Sequence, residues 1–236
     1  MRKGFFVLAF LLLAAAVWMF LDRSVFVIRN VEVVSDQTVD EQDVIRISGV
    51  EMGARMRTLD PDKIARGIES TGAYAFVSVE KKYPSAVRLT VRKRVPAAMA
   101  EVGGLVVLMD ADGCVISASP EAPDEDAVYV TGIDIGAYAV GQLVDADADR
   151  IKAMHEVITA LGKDGANAYV SELNVSDVNE LYIYSRTGIY VALGNDGEMD
   201  EKIVLMKYVL QDLESRGETS GRLDVSSGDK ADFDGS

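Results

Sequence analysis

Residues 76–96 read FVSVEKKYPSAVRLTVRKRVP, and this stretch decides the fold of the first half of the chain. Residues 76–80 read as one strand, and residues 87–92 alternate apolar and polar side chains with period two, which predicts a second, half-buried strand. Tyr83-Pro84-Ser85 supplies the turn between them, and Pro96 ends the second strand. Upstream, Asp60-Pro61 spells an N-cap followed by proline at the first helical position. The helix it opens carries Ile64 and Ile68 four residues apart and ends near Thr71-Gly72. Before it, Thr38 and Glu41 form a capping-box pattern for a helix over 39–47, stopped near Gly49. Residues 25–34, VFVIRNVEVV, are rich in β-branched side chains and predict a first strand. The predicted order over 25–94 is therefore β-α-α-β-β.

Further upstream, residues 4–21 form an uncharged apolar run, GFFVLAFLLLAAAVWMFL. As a helix it reaches roughly 27 Å, close to the hydrocarbon thickness of a bilayer. Arg2 and Lys3 precede it, whereas Asp22 and Arg23 offset each other after it. The positive-inside bias then predicts a cytoplasmic tail of residues 1–3 and an extracytoplasmic remainder. A cleaved signal peptide is the alternative, with Ala14-Ala15-Ala16 as a small-residue site. The apolar run continues through Val17-Trp18-Met19-Phe20-Leu21, which favours an uncleaved anchor.

Downstream of Pro96 the pattern is mostly β. Residues 105–109 form an apolar strand, Asp110-Ala111-Asp112-Gly113 a turn, and 114–118 a returning strand. Residues 119–126 hold Pro120, Pro123 and four acids, the pattern of a solvated loop. A short strand is expected over 128–132. Ile151, Met154, Ile158 and Leu161 mark one face of a helix over 149–161. Strands follow at 170–175, 181–184 and 189–193, then a second helix at 200–214, then a final strand at 222–225. The last residues, 226–236, read as a polar tail.

The formal charge is −14, and residues 1–23 contribute +2, so the remainder stands near −16. A charge of that sign disfavours nucleic acid and anionic lipid surfaces as partners. Cys114 is the single cysteine, which excludes an intramolecular disulfide and reads as a small buried side chain. The single histidine, His155, lies mid-helix without further His or Cys to share a metal. No nucleophile-elbow, phosphate-loop or dinucleotide-loop spelling occurs, so no catalytic apparatus and no cofactor site is predicted. Asp145, Asp147, Asp149 and Glu156 stand at places 1, 3, 5 and 12 of a calcium loop. Arg150 occupies the sixth place, where the turn needs glycine, so the aspartates read as caps of the helix starting there. Arg88, Arg92, Lys93 and Arg94 interrupt the acidic background. They read either as charges that keep a strand soluble or as a docking face.

The β-α-α-β-β unit resembles a POTRA domain, and its spelling is similar to that of the bacterial division proteins FtsQ/DivIB. The resemblance rests on Val31-Glu32-Val33, Thr38 to Ile47, Leu59-Asp60-Pro61, Val77-Ser78-Val79, Tyr83-Pro84 and Val91-Arg92-Lys93-Arg94-Val95-Pro96-Ala97-Ala98. It continues through the Asp110–Gly113 hairpin and the closing Arg222-Leu223-Asp224-Val225-Ser226. It implies an α+β chain with a transmembrane helix at 4–21, a POTRA domain at 25–95 and a mostly antiparallel β domain with two helices at 96–225. It also implies a non-catalytic membrane scaffold at the division septum, with partners resembling FtsB/DivIC and FtsL. By position, Leu223, Asp224, Val225, Ser226, Ser227 and Phe233 would receive the FtsB/DivIC-like partner. A terminal strand at 222–225 is expected to offer an open sheet edge for β-augmentation. Proline at Val225 would then weaken capture without unfolding the domain. The rival reading is a POTRA-type chaperone or transport module at the membrane surface.

Overall fold

The computed structural model describes residues 2–122 and 126–235, and the side chains of 2–5, 7–9 and 21–23 also lie outside the described set. Met1 of the expected tail, Pro123 to Glu125 of the acidic loop and Ser236 are therefore outside the described residues. The chain divides into two units, Met1–Lys93 and Arg94–Ser236.

The first unit begins with helix α1, Arg2–Ser24, which contains the apolar run. Phe6, Phe10, Leu11, Leu12, Leu13, Val17, Trp18, Met19 and Phe20 are all exposed on it. Among the described residues, no helix is long and apolar enough to cross a membrane. The strand expected at 25–34 is shortened to β1, Asn30–Val34, because Phe26 and Ile28 bond the 54–56 segment instead. Helix α2, Glu41–Ser48, is capped by Asp40 rather than Thr38, its carboxylate accepting from the Gln42 and Asp43 N–H groups. Gly49 ends α2 in the left-handed region, at φ 66°. Helix α3, Pro61–Glu69, starts at the expected Asp60 cap and buries Ile64 and Ile68.

Strands β2, Tyr74–Lys82, and β3, Ala86–Lys93, form the predicted hairpin about Tyr83–Ser85. β3 is the central strand, antiparallel to β2 and parallel to β1. Its alternation turns Val87, Leu89 and Val91 onto Val44, Ile64 and Ile68 of the two helices. Burying each such side chain stabilises the unit by about 1.5–3 kcal/mol. The helices cross where Gly67 meets the Ile47 carbonyl, and a Cβ there would come within 2.4 Å of that oxygen.

The second unit holds β4 (Ala98–Val102), β5 (Leu105–Met109), β6 (Val115–Ser119) and β7 (Val128–Thr131). Helix α4 (Ala148–Asp164), strands β8 (Val170–Asn174), β9 (Leu181–Ser185) and β10 (Tyr190–Gly194), and helix α5 (Met199–Ser215) follow. The chain closes with β11 (Arg222–Asp224) and β12 (Asp232–Asp234). One sheet joins them in the order β12-β11-β10-β9-β8-β7-β4-β5-β6.

Its pairings are mixed. β4 with β7, β7 with β8, and β10 with β11 run parallel, and the others antiparallel. The parallel joins arise where a helix or a long connection carries the chain back in the same direction. α4 and α5 pack Met154, Val157, Leu161, Ile203, Met206 and Leu213 against the sheet. Two strands were absent from the sequence expectation. β4 was hidden by its two alanines and methionine, weak strand formers that pack here because they are covered. β12 lies inside the expected polar tail.

The basic and acidic clusters resolve into structural roles. Arg88 Nε lies 3.0 Å from Glu32 on β1, and Arg88 Nη1 lies 3.9 Å from Glu80 on β2. It links the three strands in their paired register and does not present a bare charge. Arg92 and Lys93 are exposed at the end of β3. Arg94 belongs to the second unit, where it forms an ion pair with Asp110, each side chain only 10% exposed. Arg88 and Arg94 are thus each paired with an acid. Asp147 caps α4, accepting from the Asp149 and Arg150 N–H groups. Among the described residues, no group of three metal-ligating side chains is assembled, so the calcium spacing has no structural counterpart. His155 Nδ1 sits 3.0 Å from the Asp112 carboxylate and ties α4 to the β5–β6 turn.

Candidate partner-binding edge

Strand β11 lies between β10 and β12, so the open edge at this end of the sheet is β12. The edge expected at Leu223–Val225 is thus displaced outward by one strand. Leu223 and Val225 are fully buried, and the Val225 N–H donates to the Ala192 carbonyl. Proline at Val225 would break that bond inside the core, so the expectation of weakened capture without unfolding is withdrawn.

β11 is held on one side by bonds from Tyr190 N–H to the Gly221 carbonyl and from Val225 N–H to the Ala192 carbonyl. Odd-numbered residues therefore direct their backbone groups at β10, and Arg222 and Asp224 direct theirs at β12. The register pairs Arg222 with Asp234, Leu223 with Phe233, and Asp224 with Asp232. It follows from the alternation that the N–H and C=O of Phe233 point outward from the sheet. Asp232 and Asp234 are exposed, while the Phe233 ring is half-buried against the core. The ring covers Gly221, where a Cβ would stand 2.8 Å from it and 2.7 Å from the Asp234 carbonyl. Glycine at 221, with φ 134°, is what admits this close approach.

The turn before β12 is built from the predicted serines. Asp224 accepts from the Ser226 N–H at 3.0 Å and from its hydroxyl at 2.6 Å. The hydroxyl bond is the largest influence holding the Asp224 carboxyl below its usual range, opposed by partial burial. Ser227 Oγ donates to the Lys230 carbonyl and accepts from the Lys230 N–H, each at 3.3 Å. Leu223, Val225 and Phe233 thus anchor the edge, while Asp224, Ser226 and Ser227 shape its turn.

A residue that escaped the sequence reading supports the same corner. Lys202 is 2% exposed on α5, and its ammonium donates to the Asn195 carbonyl at 2.9 Å. Burial lowers its pKa below the ordinary lysine value, against the pull of Glu198 and Asp196. A lowered cation pKa means that the unfolded chain binds more protons between the folded and unfolded values. Stability should therefore rise as pH increases through that alkaline window. Lys202→Met is expected to remove this rise and to leave stability at neutral pH unchanged or higher, as read by urea unfolding at several pH values. Nothing in a helical pattern distinguishes Lys202 from a solvated lysine.

The family described as "POTRA domain, FtsQ-type" matches residues 26–94, the β1–β3 unit. Relatives named "Cell division protein FtsQ" extend the similarity through the second unit. The protein from Anaeromyxobacter sp. (strain K) is 25% identical over 81% of this chain and 65% of its own length. That from Myxococcus fulvus is 26% identical over 77% of this chain and 63% of its own. Residues 26–94 thus match the FtsQ-type POTRA family, and the chain as a whole is similar to FtsQ division proteins.

The FtsQ relative from Geobacter sp. (strain M21) is 24% identical over 85% of this chain and 73% of its own length. The chain thus spans a little under two thirds of the Anaeromyxobacter and Myxococcus relatives. Its FtsQ-type unit ends where β3 ends, and the β12 edge belongs to the unit that follows.

Proposed function

We propose that this chain is an FtsQ/DivIB-type protein, a non-catalytic, single-pass scaffold of the bacterial division machinery. In this reading residues 4–21 anchor it in the cell membrane, with residues 1–3 cytoplasmic and the later domains outside. The exposed Phe6, Phe10, Leu11, Leu12, Leu13, Val17, Trp18, Met19 and Phe20 support that placement, because so large an apolar patch is unfavourable in water. The domains run over 25–95 (POTRA) and 96–225 (β domain), with a short segment at 226–236 that carries the edge strand.

The observation that carries the reading is the open β12 edge on a chain similar to FtsQ proteins. The edge offers backbone groups for a partner strand, and FtsB/DivIC-like and FtsL-like division proteins are the proposed partners. The mechanism is positional. The anchor confines partners to a plane and raises their effective concentration, while the edge sets their orientation toward the septal synthesis machinery. Depleting the protein is expected to block septation, and affinity capture from solubilised membranes should recover two small bitopic proteins. Normal septation on depletion, together with capture of neither, would overturn the proposal.

A further inference from the structure

The chemistry of the β12 edge also specifies its partner. Its two outer side chains, Asp232 and Asp234, are exposed carboxylates on the sheet face that also carries Arg222 and Asp224. Arg222 is turned toward Asp224, at 3.5 Å, and lies over the Tyr190 ring, 5.3 Å from its centroid. Phe233, between the two acids, faces the opposite, buried side. A strand added to this edge must place the residues opposite Asp232 and Asp234 on the carboxylate face. The residue opposite Phe233 falls on the apolar face.

A second feature lies beside the turn that leads into β12. A shallow, open cleft is lined by Asp200, Glu201, Val204, Leu205 and Tyr208 of α5 and by Gly228. Val204 and Tyr208 are exposed, one turn apart on the outer side of α5, and the two acids rim the cleft.

We propose that the β12 edge selects a partner strand of alternating cationic and apolar residues. The cations face Asp232 and Asp234, and an apolar side chain beyond the Asp232 end enters the α5 cleft. This inference rests on the edge reading above and adds the sign of the charge. The same geometry disfavours a second copy of the chain, because pairing β12 with β12 about Phe233 would set Asp232 against Asp234. The negative charge of the whole chain acts in the same direction by attracting cationic partners and repelling acidic ones.

The test uses the full chain in zwitterionic nanodiscs and two fluorescent nonapeptides, one alternating lysine with valine and the other glutamate with valine. The lysine peptide is expected to bind about tenfold more tightly at low salt, with the margin shrinking as salt rises. Its binding should protect the Phe233 amide from hydrogen exchange. In the doubly reversed variant Asp232→Lys/Asp234→Lys, whose altered side chains are exposed, the preference should invert. If both peptides bind equally and both protect Phe233, the charge inference fails while the edge reading stands. A preference for lysine that survives the charge reversal also overturns the inference. If neither peptide protects Phe233, the edge reading itself falls, and the inference with it.

Discussion

Gly221→Ala is expected to release β12 and abolish partner capture while the rest of the sheet stays folded. The added methyl would stand 2.7–2.8 Å from the Asp234 carbonyl and the Phe233 ring, at a backbone φ of 134° that suits only glycine. Forcing such a contact costs about 1–3 kcal/mol. β12 pairs through only three positions, each contributing roughly 0.2–1 kcal/mol. The clash is therefore comparable with the pairing, and because it falls on the Phe233 ring that seats the strand, detachment is the expected response. Hydrogen exchange should show fast amides at 232–234 with slow amides retained in β9 and β10. Affinity capture of the proposed partners should fall at least tenfold. Unchanged protection of β12 would show that the neighbouring turn can absorb the methyl.

Asp110→Ala is expected to destabilise the second unit by about 3–5 kcal/mol, the range for removing one partner of a buried ion pair. Asp110 forms an ion pair with Arg94 at 10% exposure on both sides, so solvent screens the pair little. Its other oxygen accepts from the Asp112 and Cys114 N–H groups and so closes the β5–β6 turn. Alanine would leave a buried guanidinium unpaired and two N–H groups without their acceptor. Asp110→Asn keeps an acceptor for the turn and should lose less. Urea unfolding of the full protein, followed by exchange at β5 and β6, separates the two variants. A loss below about 1 kcal/mol for alanine would mean that water already screens the pair.

These two positions also show how much of the molecule could be read from its spelling. The hairpin at 76–92, the Asp60-Pro61 start and the Asp110–Gly113 turn are local signals. Each depends on neighbours within a few residues, and each appears in the structure at nearly the predicted place. The roles of Arg88, Arg92, Lys93 and Arg94 are not legible in the sequence, for the opposite reason. Consecutive charges look alike in a sequence, yet one bridges three strands and another is buried against an acid 16 residues away. The site shows the same division, since Leu223 and Val225 were legible as a strand but not as an inner one. Their neighbour on the open side is contributed by Phe233, in a segment rich in aspartate, glycine and serine.

Taken by itself, the sequence determined the apolar run at 4–21, the β-α-α-β-β order, the two later helices and the family resemblance. Those follow from periodicity, capping and turn chemistry, all of which act over a few residues along the chain. Only the tertiary structure decided which strand lies at the edge, which charges are paired and that Lys202 is buried. Each of these depends on which distant segments meet. A three-residue strand such as β12 has too little local propensity to announce itself. It exists because the Phe233 ring finds Gly221 and the core behind it.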